Sequence, residues 1–139
     1  MSKSKILTLV SVCILMLTFS AAGDVGYVLV DTDGDCDPDL TAGPITLGSG
    51  WTALDLLDYV YDIDYTVYEW GAFVTTIEEV TPVWDPPEHQ DWWMFAYLNS
   101  SVQCHTMSPV TLDEFPMEDG DTIGMWFVSG NLTAWPCSC

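Results

Sequence analysis

Apolar residues recur along this chain at two different periods, and the places where the period changes mark its elements. Tyr27–Asp31 is a short β-prone run leading into an Asp-rich turn, and Ile45–Leu47 resumes as extended chain before Gly48 and Gly50, a pattern that predicts a hairpin. Thr52 stands as a helix N-cap with Asp55 three residues on, where a carboxylate favours a helix start. Ala53, Leu54, Leu56, Leu57, Val60 and Tyr61 then follow at helical spacing, so one amphipathic helix is expected over about 52–62. From Tyr65 the period returns to two. Strands are expected at Tyr65–Trp70 and Phe73–Ile77 about a turn at Gly71, then at Trp92–Leu98 after a polar, Pro-rich loop over 78–91. Glu118-Asp119-Gly120-Asp121 launches the last strand, Ile123–Val128. One helix on one face of a mixed sheet of about five strands predicts an α+β fold, and the order of elements matches a β-grasp.

Residues 1–22 break this pattern. Lys3 and Lys5 precede an apolar run, Ile6–Phe19, and the small residues Ser20-Ala21-Ala22, the layout of a secretory signal peptide cleaved after Ala22 or Gly23. The run is shorter than the ~20 residues a spanning helix needs, so the chain is expected to be secreted, with no membrane association after cleavage. A domain over 24–128 and a Cys-containing tail over 129–139 follow. Cys13 leaves with the leader, and Cys36, Cys104, Cys137 and Cys139 remain. An even count in a small secreted chain points to two disulfides rather than a metal site. Pairing Cys137 with Cys139 would close a strained ring, so each tail cysteine is expected to reach back into the domain. Asn99-Ser100-Ser101 and Asn131-Leu132-Thr133 are glycosylation sequons, which suits an extracellular surface.

Charge narrows the partners further. All 21 acidic residues follow position 23, whereas the two basic residues, Lys3 and Lys5, precede it. The mature chain therefore has no Lys or Arg. Nucleic acid is excluded as a direct partner, because phosphate binding depends on those cations, and anionic membranes are disfavoured on the same ground. Such a charge usually signals disorder. Here 49% of residues are hydrophobic and 13% aromatic, enough apolar surface to drive collapse.

Two patterns carry candidate chemistry. Asp31, Asp33, Asp35, Asp37 and Asp39 place carboxylates on alternate residues around Gly34, and converging oxygens of this kind bind calcium or another hard cation. The spacing is not that of an EF-hand, and the competing reading is a solvated acidic turn that keeps a hairpin edge soluble. The second pattern is aromatic: Trp51, Tyr68, Trp70, Trp84, Trp92 and Trp93. Alternation sends Trp92 and Trp93 to opposite faces of their strand, one under the helix and the other toward solvent or a partner. Core packing is the default for each. Grouped and exposed, Tyr68, Trp70 and one of the pair would form a platform for a ring-shaped ligand.

Catalysis finds little footing. His89 and His105 are isolated and do not complete a zinc site. Cys104 and His105 are neighbours on extended chain and point apart, so they do not form a nucleophile and base. Acid pairs such as Glu78-Glu79 and Asp113-Glu114 arise by chance among so many carboxylates. No enzyme activity is expected.

Four blocks carry a resemblance to a known family. Thr52-Ala53-Leu54-Asp55-Leu56-Leu57, Trp70-Gly71-Ala72-Phe73-Val74-Thr75-Thr76-Ile77, Trp93-Met94-Phe95-Ala96-Tyr97-Leu98-Asn99 and Asp119-Gly120-Asp121-Thr122-Ile123 resemble, in order and spacing, segments of the transcobalamin-like C-terminal domain family. The resemblance implies a β-grasp lobe that binds or assists binding, like the C-terminal lobe of transcobalamin and intrinsic factor. It implies cobalamin, or another corrinoid, as ligand, with Trp70 and Trp93 as its ligand-facing aromatics; with the platform residues Tyr68 and Trp92 these make the expected ligand-binding set. The large helical domain of those carriers is absent from this chain, and Trp92-Trp93-Met94 replaces the family's Tyr-Trp-Gln. In a β-grasp the first and last strands lie side by side and parallel. Cys36 is therefore expected to bond Cys137 or Cys139, with Cys104 taking the other. The partner expected is a small-molecule ligand or an extracellular protein. A different class remains open: an acidic extracellular matrix or biomineral-associated protein that binds calcium or a mineral surface. Acidity as an adaptation to high salt is a third reading.

Overall fold

The computed structural model describes residues 23–99, 101, 103–130 and 137. The expected leader, the Asn131 sequon and Cys139 lie outside the described residues. The elements run β1 (Val25–Asp31), β2 (Leu40–Thr46), α1 (Ala53–Val60), β3 (Ile63–Tyr68), β4 (Gly71–Ile77), β5 (Trp84–Asp85), β6 (His89–Asn99), β7 (Cys104–Met107), a 3-10 turn (Leu112–Glu114) and β8 (Asp121–Ser129).

β1 alternates half-buried and buried positions, which sends Val28 and Val30 into the core. It pairs with β2 antiparallel and with β8 parallel, from Gly26 opposite Asp121 to Asp31 opposite Trp126. β8 pairs in turn with β6 antiparallel. On its other side β6 carries two short partners, β5 near its start and β7 near its end. These six strands make one mixed sheet, while β3 and β4 form a separate two-stranded sheet.

The helix begins where expected and for the expected reason. The Thr52 hydroxyl accepts the Asp55 amide, and the Asp55 carboxylate accepts the Thr52 amide at 2.8 Å, a reciprocal cap. Ala53, Leu56 and Leu57 are its buried face. The β3–β4 turn depends on Gly71, whose φ of +126° suits glycine and where a Cβ would collide with the Thr111 side chain.

One face of the large sheet, through Val28, Val30, Trp93, Ile123 and Met125, packs beneath Leu56 and Leu57 of α1, Val74 and Ile77 of β4, and Leu112. Each large apolar side chain buried this way contributes roughly 1.5–3 kcal/mol. The opposite face carries a smaller cluster of Met94, Ala96, Trp126 and Val128, against which Trp92 and Cys137 pack.

The α+β β-grasp assignment is corrected by this arrangement. Of the described residues 52% are strand and 10% helix, so the fold is mostly β. The physical reason is the length of α1. Eight residues make little more than two turns, about 12 Å of helix, too short to roof the sheet. The β3–β4 hairpin and the 3-10 turn cover the remainder, so much of the core is sheet against sheet. The expected sheet of about five strands is in fact a six-stranded mixed sheet with a two-stranded companion.

Cys36 is bonded to Cys137, with Cα atoms 5.2 Å apart, across a sequence separation of 101. That is the first of the two partners expected for Cys36. Cys104 is also disulfide-bonded.

Candidate functional site

A groove of about 690 Å³ opens where the two sheets meet without hydrogen-bonding to each other. Tyr68 and Trp70 come from the tip of the β3–β4 hairpin, Phe73 and Thr75 from β4, Trp84 from β5, and Asp91, Trp92 and Trp93 from β6. The four aromatic residues expected from the sequence as ligand contacts, Tyr68, Trp70, Trp92 and Trp93, thus line one cavity, although the chain separates the first pair from the second by a hairpin strand and a proline-rich loop. Tyr68 and Trp70 are stacked, with centroids 5.0 Å apart and planes 10° from parallel, and Phe73 meets Trp70 edge-on at 6.1 Å. This contact holds the Trp70 ring in place while leaving it 58% exposed. Trp84, also largely exposed, faces the same cavity.

Trp92 and Trp93 divide as the period-two pattern requires. Trp93 is buried in the cluster that includes α1, with its ring edge-on to Phe127, and Trp92 packs half-buried on the other face. Polar capacity in the groove is small. The Thr75 hydroxyl donates to the Asp64 carbonyl, and the Thr81 hydroxyl is shared with Thr76 at 2.8 Å. Asp91 is the carboxylate in the wall, accepting a 2.7 Å hydrogen bond from the Ser129 hydroxyl.

Asp91 had no place in the sequence-based set. The signal was present: on an alternating strand, residues two apart share a face, so Asp91 goes with Trp93. Trp51, by contrast, packs against Tyr59 away from the groove.

The Asp-rich loop has a different construction. Asp31 is fully buried and accepts three backbone amides: Asp33 at 3.2 Å and Gly34 at 2.9 Å on Oδ1, and Cys36 at 3.0 Å on Oδ2. Asp33 accepts the Asp35 amide and Asp35 the Asp37 amide, a run of local turns. Asp39 accepts both the hydroxyl and the amide of Thr32 at 2.7 Å, bonds that hold its carboxyl below the usual carboxylate range. One oxygen each of Asp31, Asp33 and Asp39 lies within 4.8 Å of the others, a group that could hold a metal ion. Asp35 and Asp37 are exposed and stand outside that trio.

The remaining polar candidates are dispersed. His89 opens β6, whereas His105 lies on β7 with its ring edge-on to Trp126 at 5.1 Å, and burial depresses its pKa. Glu78 and Glu79 form the tight turn from Ile77 to Val80, where the Glu78 carboxylate accepts the Asp62 amide. Asp113 accepts the Ala72 amide at 2.9 Å and the Thr111 hydroxyl at 2.7 Å, which lowers its pKa and ties β4 to the 3-10 turn. Asn99 closes β6, its side chain accepting the Ser101 amide.

No protein-family model and no curated protein matches the chain. Among solved structures it is similar to a protein from Ruminococcus gnavus described as a "putative metal binding protein". The TM-score is 0.56 at 20% sequence identity, covering 78% of this chain and 99% of that one. At that identity the likeness establishes a shared fold. No helix among the described residues is long and apolar enough to cross a membrane.

Proposed function

We propose that this chain is a secreted, non-enzymatic binding module whose aromatic groove takes a small ring-bearing ligand. The observation that carries this reading is the convergence of Tyr68, Trp70, Trp84, Trp92 and Trp93 on one open cavity of about 690 Å³. That volume lies in the range of small-molecule sites, and exposed indole faces held by neighbouring rings offer flat apolar contact at low entropic cost. A corrinoid is the ligand that the resemblance to the transcobalamin-like family suggests. On a half-open groove it would rest by one edge or face, so affinity is expected to be modest without a second domain to enclose it. Titrating cobalamin while following tryptophan fluorescence tests this reading. A saturable change that is lost in Trp70→Ala supports it, and a flat response at millimolar ligand removes it.

A second reading rests on the Asp31, Asp33 and Asp39 oxygens, clustered within 4.8 Å with no Lys or Arg after position 5 to neutralise them. The name of the Ruminococcus gnavus structure favours the same idea. Calcium needs six to eight oxygens, so the trio would require backbone carbonyls or water to complete the shell. Millimolar calcium should then raise the melting temperature, with the rise absent in Asp33→Asn. An unchanged melting temperature retires this reading and leaves the groove untouched.

A further inference from the structure

We infer that the ligand class of the groove is an organic cation with a quaternary ammonium head, held over the Tyr68–Trp70 stack and balanced by Asp91. This rests on the groove reading above and specifies its chemistry. The walls offer exposed aromatic faces, Trp70 and Trp84 above all, and one carboxylate, Asp91, already oriented by Ser129. Aromatic faces are the negative ends of ring quadrupoles and attract a cation lying over them, most strongly when it has shed its water. The surrounding field has the same sign. No Lys or Arg follows position 5, so every fixed side-chain charge on the described surface that could act at a distance at neutral pH is negative. A neutral ring would gain only apolar contact there, and an anionic ligand would be repelled.

The head group follows from hydrogen-bond accounting. A primary ammonium carries three donors and a guanidinium five, each needing an acceptor when desolvated. The Thr75 hydroxyl gives its proton to the Asp64 carbonyl, the Thr81 hydroxyl pairs with Thr76, and one Asp91 oxygen accepts from Ser129, so hydroxyl lone pairs and the second Asp91 oxygen are the side-chain acceptors left in a wall made mostly of ring faces. A trimethylammonium group has no donors to satisfy. It presents a soft, weakly hydrated positive surface that suits a groove rich in ring faces and poor in acceptors.

Calorimetric titration of the full, disulfide-intact chain at fixed ionic strength tests this with three probes: choline, its neutral carbon isostere 3,3-dimethylbutan-1-ol, and ethanolamine. Choline should bind at least tenfold more tightly than the isostere and at least threefold more tightly than ethanolamine. Trp70→Ala should weaken choline at least fivefold, and Asp91→Asn by about threefold. Equal binding of choline and the isostere would overturn the cationic assignment while leaving the groove as a binding site. Ethanolamine matching choline would overturn the quaternary head group. Choline bound unchanged by Trp70→Ala would show attraction to diffuse charge alone and overturn the site. Cobalamin binding without choline binding overturns this inference and spares the proposed function; failure of both ligands overturns both.

Discussion

The Asp-rich loop and the aromatic groove are the two regions that stand out in composition, and they differ in what they leave unsatisfied. The loop spends its polar capacity on itself. Asp31 takes three loop amides and Asp39 takes both donors of Thr32, so its carboxylates are first of all internal caps. The groove keeps its capacity open: Trp70 and Trp84 are more than half exposed, and Trp70 is stacked on Tyr68. Density of one residue type is thus a poor guide to binding. What matters is whether the fold has already consumed the group's interactions.

Several substitutions would break or sharpen this contrast. The largest effect is expected at the bridge that anchors the loop. Cys36→Ser with Cys137→Ser opens a closure of 101 residues and should cost about 4 kcal/mol in denaturant unfolding, while ligand affinity in the groove of the folded protein stays within twofold. Next comes Asp31→Ala, which removes a fully buried carboxylate and the acceptor of three part-buried amide bonds, and should cost about 3 kcal/mol. The exposed Asp33→Ala should lose less than about 1 kcal/mol. Equal costs at the two positions would mean that the loop is not organised around Asp31.

Asp113→Ala, which frees the Ala72 amide at the start of β4, should cost about 1–2 kcal/mol and widen the groove, read as weaker ligand binding. Trp70→Ala should change stability by less than about 1 kcal/mol, since the ring is 58% exposed, yet abolish most binding. A large stability loss there would make Trp70 a packing residue.

The smallest effect is read in acid. Because the folded Asp39 carboxyl titrates below its ordinary value of 3.8, its bonds with Thr32 contribute stability above that pH. The contribution is lost as pH falls through the lower, folded value. Thr32→Val should remove the hydroxyl's share and keep the amide's, so wild type and variant differ at neutral pH and the gap narrows in strong acid; a constant gap across the range would refute the linkage.

Local elements were legible because their causes are local. Thr52 and Asp55 cap α1, and the alternation around Trp92 and Trp93 forecast their opposite faces. Fold class was not legible, because it turned on how much of the sheet a short helix could cover. That depends on where the β3–β4 hairpin settles, a packing outcome with no signature in its own alternating sequence. β2 extends back to Leu40, through Gly43-Pro44, residues that argue against a strand by propensity alone but are tolerated at the sheet edge. β5 and β7 escaped notice as short segments paired only with β6. In the candidate site the aromatic members could be named from the sequence, whereas for Asp91 the alternation gives only the face it shares with Trp93, and one carboxylate among 21 stands out only once its neighbours in the groove are known.

The bond between Cys36 and Cys137 also fixes how the molecule would carry mechanical tension. A force applied at Val25 and at Cys137 passes along β1 to residue 36, crosses the sulfur link and leaves the fold. Only about a dozen residues, at ~3.3–3.6 Å each, lie on that route. Everything between positions 36 and 137, including the walls of the groove, is bypassed. Tethered between two anchors, the chain would act as a short tie bar whose cavity keeps its shape under load.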